Sequence, residues 1–446
     1  MKKARSPLFI IFVVVFLDLV CFGIVIPILP YYARQFGASA TALGWLMTSY
    51  SFMQFFFAPV WGRVSDRIGR RPVLLASMTG IMLSMVVLGF ASSLFWLFAA
   101  RTFAGICGAN ISTATAYIAD VTDEKDRTKG MGMIGAAFGL GFIFGPAIGG
   151  VLSRFGLGTP MFAAAGLSLA NIAYAYFKLP EPPITRELRE QHRHKRFDAR
   201  AFRETMGDSR TRMATLLFFV VTVAFTQMEV VFALFMLARH GFNAQSAGLL
   251  LAFMGIIMVG IQGGLIGKLS KRFGESRLVI AGPLLMALGL VLLAQTQPMG
   301  FVFAAMTLVA IGNGITNPSL SSLASKGAKP ERRGATLGIY QSAGSLARVV
   351  GPPIAGWAYD ALGVQVPFLI AAGTMAFAFW AAALWHMGSA SWIVEARKTF
   401  RSRGFKGLLK TSGWKLLAAF FAYYLIRDIT LYILLPWLAA KGLLSI

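Results

Sequence analysis

Long apolar runs separated by short polar turns fill most of this chain. They cover roughly 8–32, 41–61, 73–91, 94–118, 130–152 and 160–178, and a second series covers 213–238, 244–266, 278–296, 299–323, 335–359 and 365–387. Eighteen or more apolar residues in succession suit a helix that crosses a bilayer. The pattern predicts an all-α membrane protein with twelve core helices in two sets of six. A polar linker over 179–212, with Pro180, Pro182, Pro183 and many arginines, is too charged to cross and is expected on the cytoplasmic side. After a basic segment at 388–412, a further run from Trp414 to Leu438 predicts a thirteenth helix that leaves Ile446 outside. The expected domains are 1–178, the linker 179–212, 213–387 and the tail 388–446.

The two sets align. The basic turn Gly62-Arg63-Val64-Ser65-Asp66-Arg67-Ile68-Gly69-Arg70-Arg71-Pro72 returns in weaker form as Gly267-Lys268-Leu269-Ser270-Lys271-Arg272-Phe273-Gly274-Glu275-Ser276-Arg277. Gly37 pairs with Gly241 and Gly44 with Gly248, both 204 residues apart; Gly145-Pro146 pairs with Gly351-Pro352, 206 apart. Six helices per copy keep both copies in the same orientation. That is a parallel repeat about an axis along the membrane normal.

Composition sharpens the picture. Of 446 residues 57% are hydrophobic and only 13% charged, against about 25% charged in a soluble domain. The net charge of +24 would suit nucleic acid, but its placement excludes that partner. All but seven of the 42 Lys and Arg fall in turns and ends assigned to one side; Arg34, Arg154, Arg239 and Lys441 lie opposite, and Arg101, Arg348 and Arg427 fall inside helices. Basic residues gathered on one side set orientation, here with the N-terminus in the cytoplasm. Lys2, Lys3 and Arg5 imitate a signal peptide, but no small-residue cleavage site follows, so an uncleaved first helix is expected. Cys21 and Cys107 sit in apolar runs and imply no disulfide framework.

A few polar residues interrupt the runs and carry the candidate chemistry. Asp18 stands about ten residues into the first helix, roughly 15 Å deep. A carboxylate at that depth costs about 2.5–3.5 kcal/mol on insertion scales. Reversible protonation is one way to bear it; a structural tie to a backbone amide or an arginine is the other. Glu229, midway along the seventh run, faces the same cost and could bind a substrate cation, carry a proton or pair with Arg348. Arg101 stays charged at any working pH, so it can tune a nearby carboxylate but not carry the proton. Tyr50, Gln54, Asn110, Gln262, Asn313, Asn317, Gln341 and Arg348 are the polar positions from which a substrate cavity is expected to be built. Arg427-Asp428, neighbours in the last run, point about 100° apart, and one of them is expected to contact the core.

The turn Gly-x-x-x-Asp-Arg-x-Gly-Arg-Arg at Gly62, Asp66, Arg67, Gly69, Arg70 and Arg71 resembles the signature loop of major facilitator superfamily transporters. The resemblance covers about 1–387. Phe16-Leu17-Asp18 with Gly23, Pro27 and Pro30, and Tyr50-x-x-Met53-Gln54-x-x-Phe57-Ala58-Pro59, are similar to the first two helices of the tetracycline-exporter branch of drug–proton antiporters. The series Gly132, Gly141, Gly145, Pro146 and Gly150 resembles the fifth-helix motif of the antiporter branch. The resemblance implies substrate in a cleft between halves and alternating access by rocking. It gives Asp18 the cavity carboxylate's role, implicates Arg101 in proton transfer, and makes the 62–71 loop a latch on the cytoplasmic ends in the outward-open state; Glu229 is a proton-coupling candidate from its position alone. Lys271 replaces the aspartate in the second copy, so only the first copy should latch.

Two features depart from that branch. Tetracycline exporters carry an aspartate where Ser84 stands here and an acid in the ninth helix, where 278–296 has none. The expected substrate is therefore an amphipathic or lipophilic compound rather than tetracycline, exported by proton antiport across the cell's inner membrane by a monomer. No cofactor is expected beyond the proton gradient. A lipid or lysolipid flippase, or a proton-independent metabolite transporter of the same fold, is the other reading. An enzyme is not expected: His-Glu-x-x-His, Gly-x-Ser-x-Gly and metal-spaced Cys/His groups are all missing from the sequence.

Overall fold

The turns explain where the helices begin and end. In a computed structural model, residues 7–108, 110–122, 124–182, 206–295, 298–327 and 333–389 are described. Among them α1 spans Pro7–Gln35, α2 Ala40–Ile68, α3 Arg70–Gly89, α4 Leu94–Cys107, α5 Asn110–Val121, α6 Glu124–Leu152 and α7 Thr159–Lys178. The second series has α8 Ser209–His240, α9 Ala244–Gly260, a π-helical turn Ile261–Leu265, α10 Ile266–Phe273, α11 Glu275–Gln295, α12 Met299–Gly327, α13 Arg333–Leu362 and α14 Val366–Ser389. The thirteenth run and Arg427-Asp428 lie outside the described residues. The described residues up to Phe379 belong to one compact unit.

The repeat seen in sequence is a repeat of turn geometry. Gly37 and Gly241 both hold left-handed backbone, φ +74° and +66°. Two residues after each, Ser39 and Asn243 cap the following helix: their side-chain oxygens accept the N–H of Ala42 and Ser246 at 3.1 and 2.9 Å. The basic turns repeat the device at Gly69 and Gly274, φ +111° and +77°. The reversal is sharper than expected, because α2 stays helical through Asp66 and Arg67 and only Gly69 turns the chain.

Nine helical segments among the described residues are long and apolar enough to cross a membrane, one of them running through α4 and α5. α2, α7 and α13 are also 20 to 30 residues long and are not among those nine.

α1 packs on α6 and α7, α8 on α13, and α11 on α12, while α2 meets α13 and α6 meets α9 across the two series. These crossings are close because small residues line them. A Cβ on Gly44 would lie 2.5 Å from the Pro352 carbonyl oxygen, and one on Gly248 would lie 2.6 Å from that of Pro146. Thr48 donates to the Val349 carbonyl at 3.1 Å, and Tyr31 donates to that of Phe242 at 3.0 Å. All these links lie toward the helix ends remote from the basic turns. Among the described residues, no hydrogen bond or ion pair joins the two series at the basic end.

Candidate functional site

A break in one helix builds the site. The sequence predicts a continuous helix over 94–118, but α4 stops at Cys107 and α5 starts at Asn110. A break strands carbonyls that a membrane cannot hydrate. Three side chains take them up: Trp61 Nε1 donates to the Ile106 carbonyl at 2.6 Å, Ser77 Oγ to that of Cys107, and Gln54 Nε2 to that of Gly108 at 3.0 Å. Gly105 lets the backbone of Tyr50 come close, since a Cβ there would collide with the Tyr50 carbonyl oxygen.

The break brings the expected polar residues together. Asn110, opening α5, donates from Nδ2 to Asp18 Oδ1 at 2.6 Å. The structural tie of Asp18 is therefore to a side-chain amide, not to an arginine or the backbone. Gln54 also donates to the Tyr50 hydroxyl at 3.2 Å, and the Arg101 guanidinium lies over the Tyr50 ring, 4.3 Å from its centroid. Asp18 and Arg348 stand within electrostatic reach of Tyr50 as well.

A cavity opens between the two series. Phe22, Val25, Ile26, Met47, Tyr50, Ser51 and Arg101 form one wall; Thr226, Glu229, Val230, Arg348 and Pro352 form the other. Glu229 and Arg348 feel each other electrostatically but make no ion pair within 4 Å, and the nearest donor contact of Arg348 is to Ser345 Oγ at 3.5 Å. The Glu229–Arg348 pair anticipated from sequence is a loose one.

The other expected cavity residues are placed elsewhere. Asn317 Nδ2 donates to Asn313 Oδ1 at 2.8 Å, and Asn313 Nδ2 reaches Met258 Sδ at 3.7 Å, a network linking α12 to α9. Gln262 lies in the π-helical turn and Gln341 is exposed on α13. Gln54 and Asn110 stand behind Tyr50 and Asp18 rather than in the cavity wall.

In the basic turn, Asp66 pairs with Arg70 at 2.7 Å, and Arg70 Nε donates to Asp120 at 2.8 Å. Glu181 accepts the backbone N–H groups of Arg70 and Arg71 at 2.6 and 2.9 Å, which caps α3. Arg67 is exposed and Gly62 is helical and open. These partners lie in the first series or, for Glu181, in the linker just after it, and none lies in the second series. The glycines on α6 divide by role. A Cβ on Gly145 would lie 2.5 Å from Gly23 Cα, one on Gly141 would lie 2.7 Å from Leu19 Cβ, and Gly150 faces Gln245 and Gly248 of α9. Gly132 meets nothing within 4 Å.

Sequence reasoning missed Asp360, which accepts the N–H groups of Ala40 and Thr41 at 3.1 and 2.7 Å. It also missed Asp120 and Glu181, whose partners stand 50 and 111 residues away. No local motif marks any of the three.

Helices of spanning length in two matching series, joined around a charged cavity, define a multi-pass membrane transporter. The family model described as Major Facilitator Superfamily matches residues 11–347 and 263–444, and the chain belongs to that superfamily. It is 36% identical over 363 residues to "Tetracycline resistance protein, class C" of Escherichia coli, covering 79% of this chain and 89% of that one. It is 28% identical over 385 residues to "Multidrug resistance protein 2" of Bacillus subtilis (strain 168), covering 84% and 95%. Among solved structures, the nucleoside transporter NupG has the same fold, with TM-score 0.68 at 14% identity over 86% of this chain and 99% of that one. Where the sequence departs from the tetracycline exporters, Ser84 is buried and donates to the Ala100 carbonyl at 3.0 Å. It ties α3 to α4 and offers the cavity nothing.

Proposed function

We propose that this chain exports small amphipathic or lipophilic compounds in exchange for protons. One observation carries the reading: Asp18 is tied to Asn110 at the break in a membrane helix, and α4, on the other side of that break, bears Arg101 into the cavity that Glu229 faces. A carboxylate held in the membrane interior favours protonation and release as part of a cycle over permanent charge. Because Asp18 binds the broken helix, a change in its charge bears directly on α4, α5 and the cavity wall.

The relatives named for tetracycline and multidrug resistance support a drug-like substrate. With the basic turns in the cytoplasm, as their charge implies, the two series are joined at their external ends, which is an inward-facing arrangement. The 62–71 loop then acts as a latch only after Asp66 changes partner and engages the second series.

The test is export from intact cells. Cells making the chain and loaded with a fluorescent amphiphile should expel it, and a protonophore should stop them. Export that continues with the proton gradient collapsed would favour the proton-independent transporter instead.

A further inference from the structure

We infer that the cavity receives a carboxylate, or a similarly compact anionic group, of the transported compound, seated on Arg101 and faced by Arg348. This rests on the reading of the chain as an exporter and names the chemistry its cavity selects. Arg101 is 3% exposed and lines the cavity, yet its Nε and Nη1 have no hydrogen-bond partner. Tyr50 beneath it stabilises the positive charge through its ring face. A ring face does not satisfy N–H donors that lie in the guanidinium plane, so Arg101 Nε and Nη1 stay without partners, and both are covered in this conformation, so a ligand group reaches them through a small side-chain shift.

The chain's own carboxylates do not fill that role. Asp18 is engaged by Asn110 and is not part of the cavity wall, and Glu229 stands nearer in influence to Arg348 without contacting it. Two guanidinium groups and one carboxylate line the cavity, and Asp18 behind the wall is a second carboxylate, so one positive charge is left over whenever Asp18 is protonated. A carboxylate fits the fork of an arginine in shape and in charge. The cavity volume of about 50 Å³ admits a few heavy atoms, since one water needs about 10–15 Å³. In this conformation it holds a head group and not a whole amphiphile. Phe22, Val25, Met47 and Val230 supply apolar wall for the carbon beside that head group. A polyanion would exceed the single unmatched charge.

Matched pairs of ligands test this. Dansylglycine against its amide, and 11-(dansylamino)undecanoate against its amide, differ only in the carboxylate; the first pair represents aromatic acids and the second fatty acids. Binding of each to the full chain in nanodiscs, at fixed pH, without a gradient and corrected for empty nanodiscs, is read from dansyl fluorescence. In at least one pair the acid should bind ten-fold or more tighter than the amide. That preference should vanish in Arg101→Gln, fall several-fold in Arg348→Gln and survive in part in Arg101→Lys. The last two variants decide the matter if the first does not fold. Equal binding of acids and amides, no binding by any acid, or a preference that survives both glutamine substitutions would overturn the inference. Acid preference with no proton-driven transport would remove the export reading alone; proton-driven transport without acid preference would remove this inference alone.

Discussion

The carboxylate of Asp360, at the far end of α13, accepts the backbone N–H of Thr41 at 2.7 Å, joining the two series at the ends remote from the basic turns. With the N–H of Ala40 it caps the start of α2, where an anion is favoured by unpaired donors and the helix dipole. Burial pushes the Asp360 carboxyl up, but the hydrogen bonds from Thr41, Ala40 and Ser39 outweigh it and hold the group below the usual carboxylate range. The sign follows: a depressed carboxyl stabilises the contact above its ordinary pKa, about 3.9, and loses that contribution only as pH falls through the depressed value. The contact is thus constant across neutral pH. Asp360→Asn should weaken this closure, which the proposed orientation puts on the outside, by about 0.3–1 kcal/mol. With Cys21 and Cys107 replaced, a cysteine at Thr48, which is buried under this contact, should then label faster from outside. An unchanged labelling rate would show that Asp360 does not hold the closure.

Two glycines of the same sequence motif should behave oppositely. Gly145→Ala puts a methyl group 2.5 Å from Gly23 Cα, a backbone contact that cannot yield without moving α6 off α1. Overpacking of that kind costs about 1–3 kcal/mol. Gly132→Ala meets open space and should be neutral or stabilise by about 0.5–1 kcal/mol through helix propensity. Thermal unfolding of the two variants in detergent separates them; equal midpoints would contradict the packing described.

The helix break depends on its three donors. Trp61→Phe keeps an aromatic ring, though a smaller one, and leaves the Ile106 carbonyl without its partner at 2.6 Å. The expected loss is about 1–3 kcal/mol for an unsatisfied buried acceptor. The unfolding midpoint should fall, and Asn110 should lose its fixed position against Asp18. A wild-type midpoint would mean that the carbonyl finds another donor.

Ion pairs in the two basic turns should differ in weight. Arg70 is 5% exposed and joins Asp66, Asp120 and Ser65, so Arg70→Ala should cost about 3–5 kcal/mol by leaving two acids facing each other. In the second copy Lys326 pairs with Glu275 from an exposed position. Lys326→Ala should change stability by no more than about 1 kcal/mol. Chemical or thermal unfolding of both variants checks the ranking.

The hydrophobic runs made the helices legible, and charged residues inside them drew attention to Asp18, Arg101, Glu229 and Arg348, because a charge in an apolar run is conspicuous whatever its partner. The partners were not legible. Asn110 stands 92 residues from Asp18 and Asp360 lies 320 from Ala40, distances over which no local pattern speaks. The break at Gly108 was hidden for a different reason: 94–118 is apolar enough for one helix, and the break is stabilised by Gln54, Trp61 and Ser77 on other helices. Gln341 is exposed on α13 and does not line the cavity, a distinction that its polarity alone could not make.

Proton coupling through Asp18 is tested most directly in proteoliposomes under an imposed pH gradient. Internal pH is followed while cationic, neutral, carboxylated and lipid-like compounds are added to wild type, Asp18→Asn and Glu229→Gln. A compound should trigger proton movement in the wild type, and Asp18→Asn should abolish it while leaving the protein folded. Compound movement that ignores the gradient and persists in Asp18→Asn would contradict proton antiport and leave a uniporter or a lipid flippase.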